Sequence, residues 1–272
     1  MNAVLAAIGD ELLSGVRLEK NANFMASHLH NKGVEVRAIE VIPDTEDDIV
    51  SLLSRHVGKT DLLILSGGLG PTHDDRTRYA IAKFLDCELY SDPMYDRILE
   101  RVKNNPTRLA RLEKSRSTQA MIPVKARPVY NPTGSALGIA FTNYGTRVIA
   151  LPGVPFEYEA MTRQEFPEFF ADDDRHCWAS VIILGLPEVM IAEKIPEVIS
   201  NPDLHVSILP AFPQVELIIR GESNDVDEAE RLTRSRFTKN ILPRGCHSLA
   251  EAVLHEARVH NAKIACAESC TG

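Results

Sequence analysis

The chain has 272 residues, 38 of them acidic and 30 basic, and a formal net charge of −8 at pH 7. Because an acidic surface repels polyanions, we expect neither a nucleic-acid partner nor binding to an anionic membrane. Hydrophobic residues make up 44% of the chain, which allows a sizeable core and more than one domain.

The N-terminal apolar run, Val4–Ile8, has no basic residue before it and is followed by Gly9 and Asp10. This pattern predicts a first β-strand and not a signal peptide. No apolar run approaches the length that spans a membrane, and the five cysteines show no spacing typical of a disulfide framework. We therefore expect a soluble, cytoplasmic protein with reduced thiols.

Helical patterns and apolar segments alternate after this strand. The sequence predicts a helix at Asn21–Asn31, a strand at Val34–Val41, a helix over residues 43–57 and a strand at Leu62–Leu65. The last of these segments is continuously apolar, as a strand buried on both faces requires. Such alternation is typical of a parallel sheet with helices on both faces, so the predicted fold class is α/β.

The segment that follows Leu65 carries the clearest functional motif. It reads Ser66-Gly67-Gly68-Leu69-Gly70-Pro71-Thr72-His73-Asp74-Asp75 and precedes a helical pattern at Tyr79–Leu85. Glycines let the backbone approach an anion, and the N–H groups at a helix start favour negative charge. Asp74 and Asp75 suggest a divalent cation, Mg²⁺ or another such as Mn²⁺ or Co²⁺, that joins carboxylate to phosphate. The alternative is a tight turn with capping side chains and no ligand.

Further elements are predicted along the rest of the chain. Up to residue 171 they are one or two helices in residues 92–118 broken near Pro106, extended pieces at Ala120–Pro123 and Arg127–Tyr130, a hairpin of Gly138–Phe141 with Arg147–Leu151, a turn at Pro152–Pro155 and a helix at Phe156–Glu168. The charge run Asp172–Arg175 marks a domain boundary. Beyond it we predict strands at Cys177–Leu184, Val206–Leu209, Val215–Arg220 and Lys263–Ala267, and helices at Glu188–Ile199, Val226–Lys239 and Ser248–Val259.

Polar residues follow several of the predicted strands, and ligands of such sheets bind beyond the carboxyl ends of the strands. The candidate binding residues are Gly9, Asp10, Glu11, Asp44, Ser66, Gly67, Gly68, Gly70, Thr72, Asn131, Thr133, Gly134, Ser135, Pro152, Gly153 and Val154. The loop from Asn131 to Ser135 offers hydroxyl and amide groups suited to a phosphate or a ribose. Taken singly, the acids have the alternative of being helix caps, and Pro152–Pro155 of being a rigid turn.

The same segments, in order and spacing, resemble the CinA (competence/damage-inducible protein A) family. The motifs that carry the resemblance are Ile8–Gly15, Asn21–Asn23, Val41–Asp44, Ser66–Asp75, Asn131–Ala136 and Leu151–Pro155. The resemblance implies a molybdopterin-binding-like three-layer sandwich with a mostly parallel sheet over residues 1–171. It further implies a small KH-like α+β domain over residues 172–245 and the start of an incomplete nicotinamide-nucleotide amidase domain over residues 246–272.

The resemblance also implies an activity and a homodimer. The activity is metal-dependent hydrolysis of the pyrophosphate of ADP-ribose, or a related nucleotide sugar, to AMP and ribose 5-phosphate. Asp44 and Asp75 match positions where molybdopterin adenylyltransferases keep functional aspartates. On this hypothesis Asp75 and Asp74 bind the metal, and Asp44 or Glu11 is the base. The backbone of Gly67, Gly68 and Gly70 holds one phosphate, and Asn131, Thr133 and Ser135 hold the other phosphate or a ribose.

Two departures from the family pattern limit what is expected. Ala267–Gly272 resembles only the opening of the amidase domain, and a serine without base, oxyanion donors or pocket is not expected to give amidase activity. The turn at Gly185–Glu188 lacks the second glycine of a Gly-x-x-Gly loop, so RNA binding is not expected. A non-catalytic pterin- or nucleotide-binding scaffold and adenylyl transfer to a pterin remain the alternative functions.

Overall fold

A computed structural model describes residues 1–30, 32–167, 176–246, 248–267 and residue 269. The described residues divide into two compact units, Met1–Asp172 and Asp173–Gly272. The predicted boundary at Asp172–Arg175 lies outside the described residues. The same is true of Glu268, Cys270, Thr271 and Gly272 in the amidase-like motif.

The first unit alternates strands and helices. Its strands are β1 (Asn2–Ile8), β2 (Glu35–Ile42), β3 (Leu62–Ser66), β4 (Leu89–Ser91), β5 (Met121–Pro123), β6 (Arg127–Val129), β7 (Gly138–Asn143) and β8 (Thr146–Leu151). Its helices are α1 (Asp10–Leu13), α2 (Asn21–His30), α3 (Glu46–His56), α4 (Thr77–Phe84), α5 (Tyr95–Arg101), α6 (Pro106–Gln119) and α7 (Pro155–Glu165). The predicted α/β class is confirmed, whereas the sequence pattern does not predict α1 or β4.

The main sheet has the strand order β2-β1-β3-β8-β7-β6. Strands β2, β1, β3 and β8 are parallel, β7 is antiparallel to β8, and β6 is antiparallel to β7. The sheet is therefore mostly parallel, as predicted, and the predicted hairpin forms β7 and β8. Strands β4 and β5 pair separately in an antiparallel ladder.

Both faces of the sheet are buried, which makes the first unit a three-layer structure. Along β1, Val4 and Ala6 pack in a cluster with residues of α3, α4, α5 and α6. The alternate residues Ala3 and Leu5 pack on the other face with residues of α2 and α7. Because successive side chains of a strand point to opposite faces, the unbroken apolar run of β1 serves both clusters.

The break near Pro106 separates α5 from α6. The side chain of Asn105 accepts a hydrogen bond from the Arg108 N–H group (3.0 Å) and caps α6. Pro106 occupies the first turn, where its missing N–H group leaves no helical hydrogen bond unmade. This local chemistry starts a new helix and turns α6 toward the edge of the sheet where the candidate site lies.

The second unit combines an antiparallel sheet with helices. Its elements are β9 (His176–Leu184), α8 (Glu188–Lys194), α9 (Pro196–Ile199), β10 (His205–Ala211), β11 (Gln214–Glu222), α10 (Ser223–Arg236) and α11 (Leu249–Val259). The sheet order is β10-β11-β9. The α+β character agrees with the sequence pattern, and the KH-like assignment stays a prediction.

Two predicted elements of the second unit are wrong. Residues 188–199 form two helices because Pro196 lacks an N–H group and excludes the helical conformation at Ile195, whose φ is −132° and ψ is 48°. Lys263–Ala267 is exposed and has no regular structure. A strand needs a neighbouring strand for its hydrogen bonds, and among the described residues none pairs with this segment.

In the described part of the chain, no helix is both long enough and apolar enough to cross a bilayer. Cys87, Cys246 and Cys266 are free thiols.

We predict that Tyr144→Asn stabilises the first unit. Tyr144 (φ 46°) and Gly145 (φ 82°) form the two-residue connection of β7 and β8, in which both residues have positive φ. A tyrosine is strained there, and its side chain is 84% exposed, so little packing is lost on substitution. Asparagine tolerates this conformation, and we expect a gain of about 0.5–1 kcal/mol in the free energy of unfolding, measured by urea denaturation. Tyr144→Ala, which removes the ring without favouring positive φ, should give no gain; an equal gain would contradict the backbone explanation.

Candidate functional site

The carboxyl ends of the parallel strands lie side by side. Ile8 of β1 is level with Ile42 of β2, and Ser66 of β3 is level with both Ala7 of β1 and Leu151 of β8. The loops that follow β1, β3 and β8 therefore leave the sheet at one edge. A cavity of about 1020 Å³ opens between them, and we call it the crevice.

Most of the predicted site residues line the crevice. They are Glu11, Ser66, Gly67, Gly68, Gly70, Asp75, Thr133, Gly134, Ser135, Pro152, Gly153 and Val154. The predicted residues Gly9, Asp10, Asp44, Thr72, Asp74 and Asn131 are not part of its lining. The sequence therefore locates the loops of the site better than it assigns tasks to their side chains.

Asp44 belongs to an acidic group beside the crevice and not to its wall. Burial raises the pKa of its carboxyl group, and the nearby charges of Asp10, Asp74 and Glu11 raise it further. Asp44 is thus placed with three other carboxylates at the end of β2. In the sheet, β1 lies between β2, which Asp44 follows, and β3, which precedes the glycine loop.

Gly67 and Gly68 are required by the packing of the glycine loop. Gly67 has a φ of 113°, and a Cβ atom there would lie 2.3 Å from the Ile8 carbonyl oxygen. Gly68 has a φ of 67°, and its Cβ atom would lie 2.2 Å from Thr77 Oγ1. The buried Thr77 donates its hydroxyl to the Gly67 carbonyl (2.8 Å) and its N–H to the Gly68 carbonyl (3.1 Å), which joins the loop to α4.

The N–H groups of the loop are divided between the protein and the crevice. Gly67 donates to the Leu151 carbonyl (3.0 Å) and Gly70 donates to Asp75 Oδ1 (2.7 Å). Neither is free for the phosphate that the sequence hypothesis assigned to them. The N–H groups of Gly68 and Leu69 have no acceptor within the described part of the chain. Gly68 is partly exposed, so its N–H can donate to a ligand, whereas only 1% of Leu69 is exposed.

The Asp75 carboxylate shapes the loop. In addition to Gly70, it accepts hydrogen bonds from the Thr72 N–H (2.8 Å) and hydroxyl (2.6 Å) through Oδ2. Asp74 Oδ1 lies 2.7 Å from Nε2 of the exposed His73. Across the described residues, no group of three or more His, Cys, Asp or Glu side chains is placed to hold a metal ion. Asp74 and Asp75 therefore fit a divalent ion only where a ligand's phosphates supply the other oxygen atoms.

A buried arginine of α4 contacts the backbone of the same loop. Arg78 of α4 is fully buried and donates hydrogen bonds to the carbonyl groups of Leu69 and Met121, the latter at 3.0 Å. Burial lowers its pKa to about 10, so the guanidinium remains charged at pH 7. Its positive charge lies beside the glycine loop, on the Leu69 carbonyl group.

Asn131 holds the third loop in shape instead of facing a ligand. It is fully buried, and its amide Nδ2 donates to the Ala136 carbonyl (3.0 Å) and to Glu157 Oε2 (2.7 Å). Its Oδ1 accepts from the N–H groups of Thr133 (3.1 Å) and Gly134 (2.6 Å). The predicted contact of Asn131 with a phosphate or ribose is therefore replaced by contacts within the loop.

Another buried amide joins the elements around the crevice. Asn21, at the start of α2, donates to Ser66 Oγ (2.7 Å) and to the Gly153 carbonyl (3.0 Å). Its side chain thus connects the end of β3 with the loop after β8. Only 6% of Ser66 is exposed.

Four basic side chains in the crevice are missed by motif reasoning. Arg17 and Lys20 lie before α2, and Arg108 and Arg111 lie on α6. None of the four has a carboxylate partner within the described ranges. Arg108, Arg111 and Ser115 are spaced three and four residues apart and so share one face of α6. That spacing is the sequence signal that could have identified them.

The fold and this site define the class of the protein. Residues 4–171 match the family model described as "Probable molybdopterin binding domain". Over the whole chain, the CinA-like protein of Thermosipho melanesiensis is 30% identical across 273 residues, which cover 99% of this chain and 67% of that protein. The chain belongs to the CinA-like family, as its motifs predict.

Two further comparisons agree with this assignment. A protein of Caldivirga maquilingensis is 33% identical over 262 residues, which cover 90% of this chain and 100% of that protein. The crystal structure of a CinA protein with unknown function from Thermoplasma acidophilum is similar with a TM-score of 0.55 and 35% identity. That likeness covers 62% of this chain and 97% of the other.

We predict that Gly67→Ala strongly destabilises the first unit. The new Cβ atom would meet the Ile8 carbonyl oxygen at 2.3 Å, and alanine disfavours a φ of 113°. We expect a loss of at least about 2 kcal/mol in the free energy of unfolding, measured by urea denaturation. The matched control is Gly15→Ala, whose φ is 73° but whose Cβ atom would meet nothing within 4 Å. The control should lose about 1 kcal/mol, and equal losses would contradict the close approach of Gly67 to β1.

Proposed function

We propose that the crevice binds ADP-ribose or a related nucleotide sugar and hydrolyses its pyrophosphate to AMP and ribose 5-phosphate. The observation that carries this proposal is the meeting of four basic side chains and the N–H group of Gly68 around one cavity. The chain belongs to the CinA-like family, and residues 4–171 match a model described as a probable molybdopterin binding domain. Both findings support a nucleotide or pterin ligand.

The charges of the crevice favour a ligand with more than one phosphate. Arg17, Lys20, Arg108 and Arg111 lack carboxylate partners among the described residues, so a bound anion would be their counter-ion. All four are exposed, and the acidic residues Glu11, Glu19, Asp75 and Glu157 line the same crevice, so the attraction for an anion comes from these basic side chains locally and not from a net charge of the crevice. A pyrophosphate can pair with more than one of them through its two linked groups.

The size of the crevice favours a ligand larger than inorganic phosphate. Its volume of about 1020 Å³ is at the upper end of the roughly 300–1,000 Å³ typical of small-molecule sites. The exposed apolar side chains Val16, Leu18 and Phe156 also line it. They provide a surface against which the flat ring of a nucleotide base or a pterin can pack.

Hydrolysis requires a base that orients the attacking water. Of the two predicted bases, only Glu11 lines the crevice, so we assign this task to Glu11 and a supporting position to Asp44. A bound divalent ion, Mg²⁺ or another such as Mn²⁺ or Co²⁺, would neutralise phosphate charge, with Asp75 and Asp74 as the carboxylates that hold it.

Product analysis tests the proposed reaction. The purified protein is incubated with Mg²⁺ and ADP-ribose, and we expect AMP and ribose 5-phosphate in equal amounts, with the reaction stopped by a chelator. ATP with a pterin serves as a parallel incubation. An adenylylated pterin without ADP-ribose cleavage would indicate adenylyl transfer instead. Binding of ADP-ribose without any product would indicate a scaffold, an alternative favoured by the structural use of the Asp75 carboxylate.

We predict that Arg108→Gln and Arg111→Gln each weaken ADP-ribose binding. A lost hydrogen bond between charged groups corresponds to about 1.5–3 kcal/mol, so we expect the dissociation constant from calorimetry to rise about 10- to 100-fold. Lys114→Gln is the matched control, because Lys114 is on the same helix but outside the crevice. If both arginine variants kept the wild-type affinity, α6 would not be part of the binding site.

A further inference from the structure

We propose that Glu157 is a specificity-determining residue that accepts a hydrogen bond from a ribose hydroxyl of the ligand. The crevice would then select a ribose-bearing anion over a bare polyphosphate. This inference rests on the proposed function and identifies which part of the ligand lies at the α7 end of the crevice.

Glu157 is held in a defined position in the crevice wall. It lies in the first turn of α7, is partly buried, and its Oε2 accepts a hydrogen bond from Asn131 Nδ2 (2.7 Å). The Asn131 amide is itself fixed by the Ala136 carbonyl and by the N–H group of Gly134. The carboxylate is therefore preorganised, while its Oε1 has no partner among the described residues.

Gly134 provides the space for this carboxylate. A Cβ atom at Gly134 would lie 1.8 Å from Glu157 Oε2 and 2.0 Å from its carboxyl carbon. The φ of Gly134 is outside the left-handed region, so the backbone does not itself require glycine there. The requirement comes from Glu157, because any side chain at position 134 would displace the carboxylate from the crevice wall.

The chemistry of this position calls for a hydrogen-bond donor on the ligand. An ionised carboxylate can only accept hydrogen bonds, and a phosphate beside it would be repelled. Among the described residues, Glu157 forms no ion pair with the basic side chains, although all of them line one cavity. A carboxylate that accepts from ribose hydroxyls is an established way of recognising the sugar of a nucleotide. The side chains of Thr133 and Ser135 lie in the same wall and can take part in this recognition.

A purely structural role would produce a different result. Glu157 also anchors the loop from Asn131 to Ala136 and carries a negative charge in the first turn of a helix, where it is stabilising. If that were its only role, removing the charge would shift the loop and weaken the binding of every ligand. If Glu157 determines specificity, its substitution weakens the binding only of ligands that bear the ribose hydroxyl.

Calorimetry on Glu157→Gln separates the two possibilities. Glutamine keeps the size of the side chain and an acceptor for Asn131, and a melting curve checks the fold. Binding of ADP-ribose, inorganic pyrophosphate and a sugar-free pterin is measured for the wild type, Glu157→Gln and the control Glu159→Gln. Glu159 lies on the same helix but outside the crevice. We expect Glu157→Gln to weaken ADP-ribose binding about 10-fold, to leave pyrophosphate binding equal or tighter, and to leave pterin binding unchanged.

Every other result contradicts a specific part of the proposal for Glu157. Equal weakening of ADP-ribose and pyrophosphate, or no change in either, would show that Glu157 only supports the loop. Selective weakening of the pterin would show that the carboxylate contacts ring N–H groups and not a sugar. If the wild type bound none of the three compounds, the proposed function would be contradicted, and so would this inference.

Discussion

The close approach of three backbone segments at Gly67 is the constraint on which the site depends. Gly67 packs against the Ile8 carbonyl of β1 and donates its N–H to the Leu151 carbonyl of β8. A Cβ atom at Gly153 would lie only 3.3 Å from the Gly67 Cα atom. Because side chains are absent at this meeting point, the loops after β1, β3 and β8 can converge and form one crevice.

Polar side chains then fix the shape of these loops. Asp75 closes the glycine loop, Asn131 closes the loop before β7, and Asn21 connects Ser66 with Gly153. Asn131 and Asn21 are buried, and their amide groups would be unfavourable there without these partners. Asn131 and Asn21 therefore build the site, and in the proposed complex the phosphates contact the backbone of the glycine loop and the neighbouring basic residues.

Basic side chains gather at the crevice although the chain as a whole is acidic. The net charge of −8 gives no reason to expect an anionic ligand. Locally, however, the fold brings Arg108 and Arg111 of α6 to the same cavity as Arg17 and Lys20, and Arg78 adds a buried charge beneath the glycine loop. The local arrangement of charges is decisive, because charge interactions fall off with distance and are screened by solvent.

The sequence by itself determined the α/β class, the hairpin of β7 and β8, and the loops that surround the crevice. It could do so because apolar runs, helical spacing and the glycines after β3 are local signals of buried strands, helices and close backbone approach. Only the tertiary structure decided that Asp75 and Asn131 are occupied by loop hydrogen bonds, that Asp44 lies outside the crevice, and that Arg108 and Glu157 line it. These outcomes depend on contacts between residues far apart in the chain, and no pattern within a single segment specifies them.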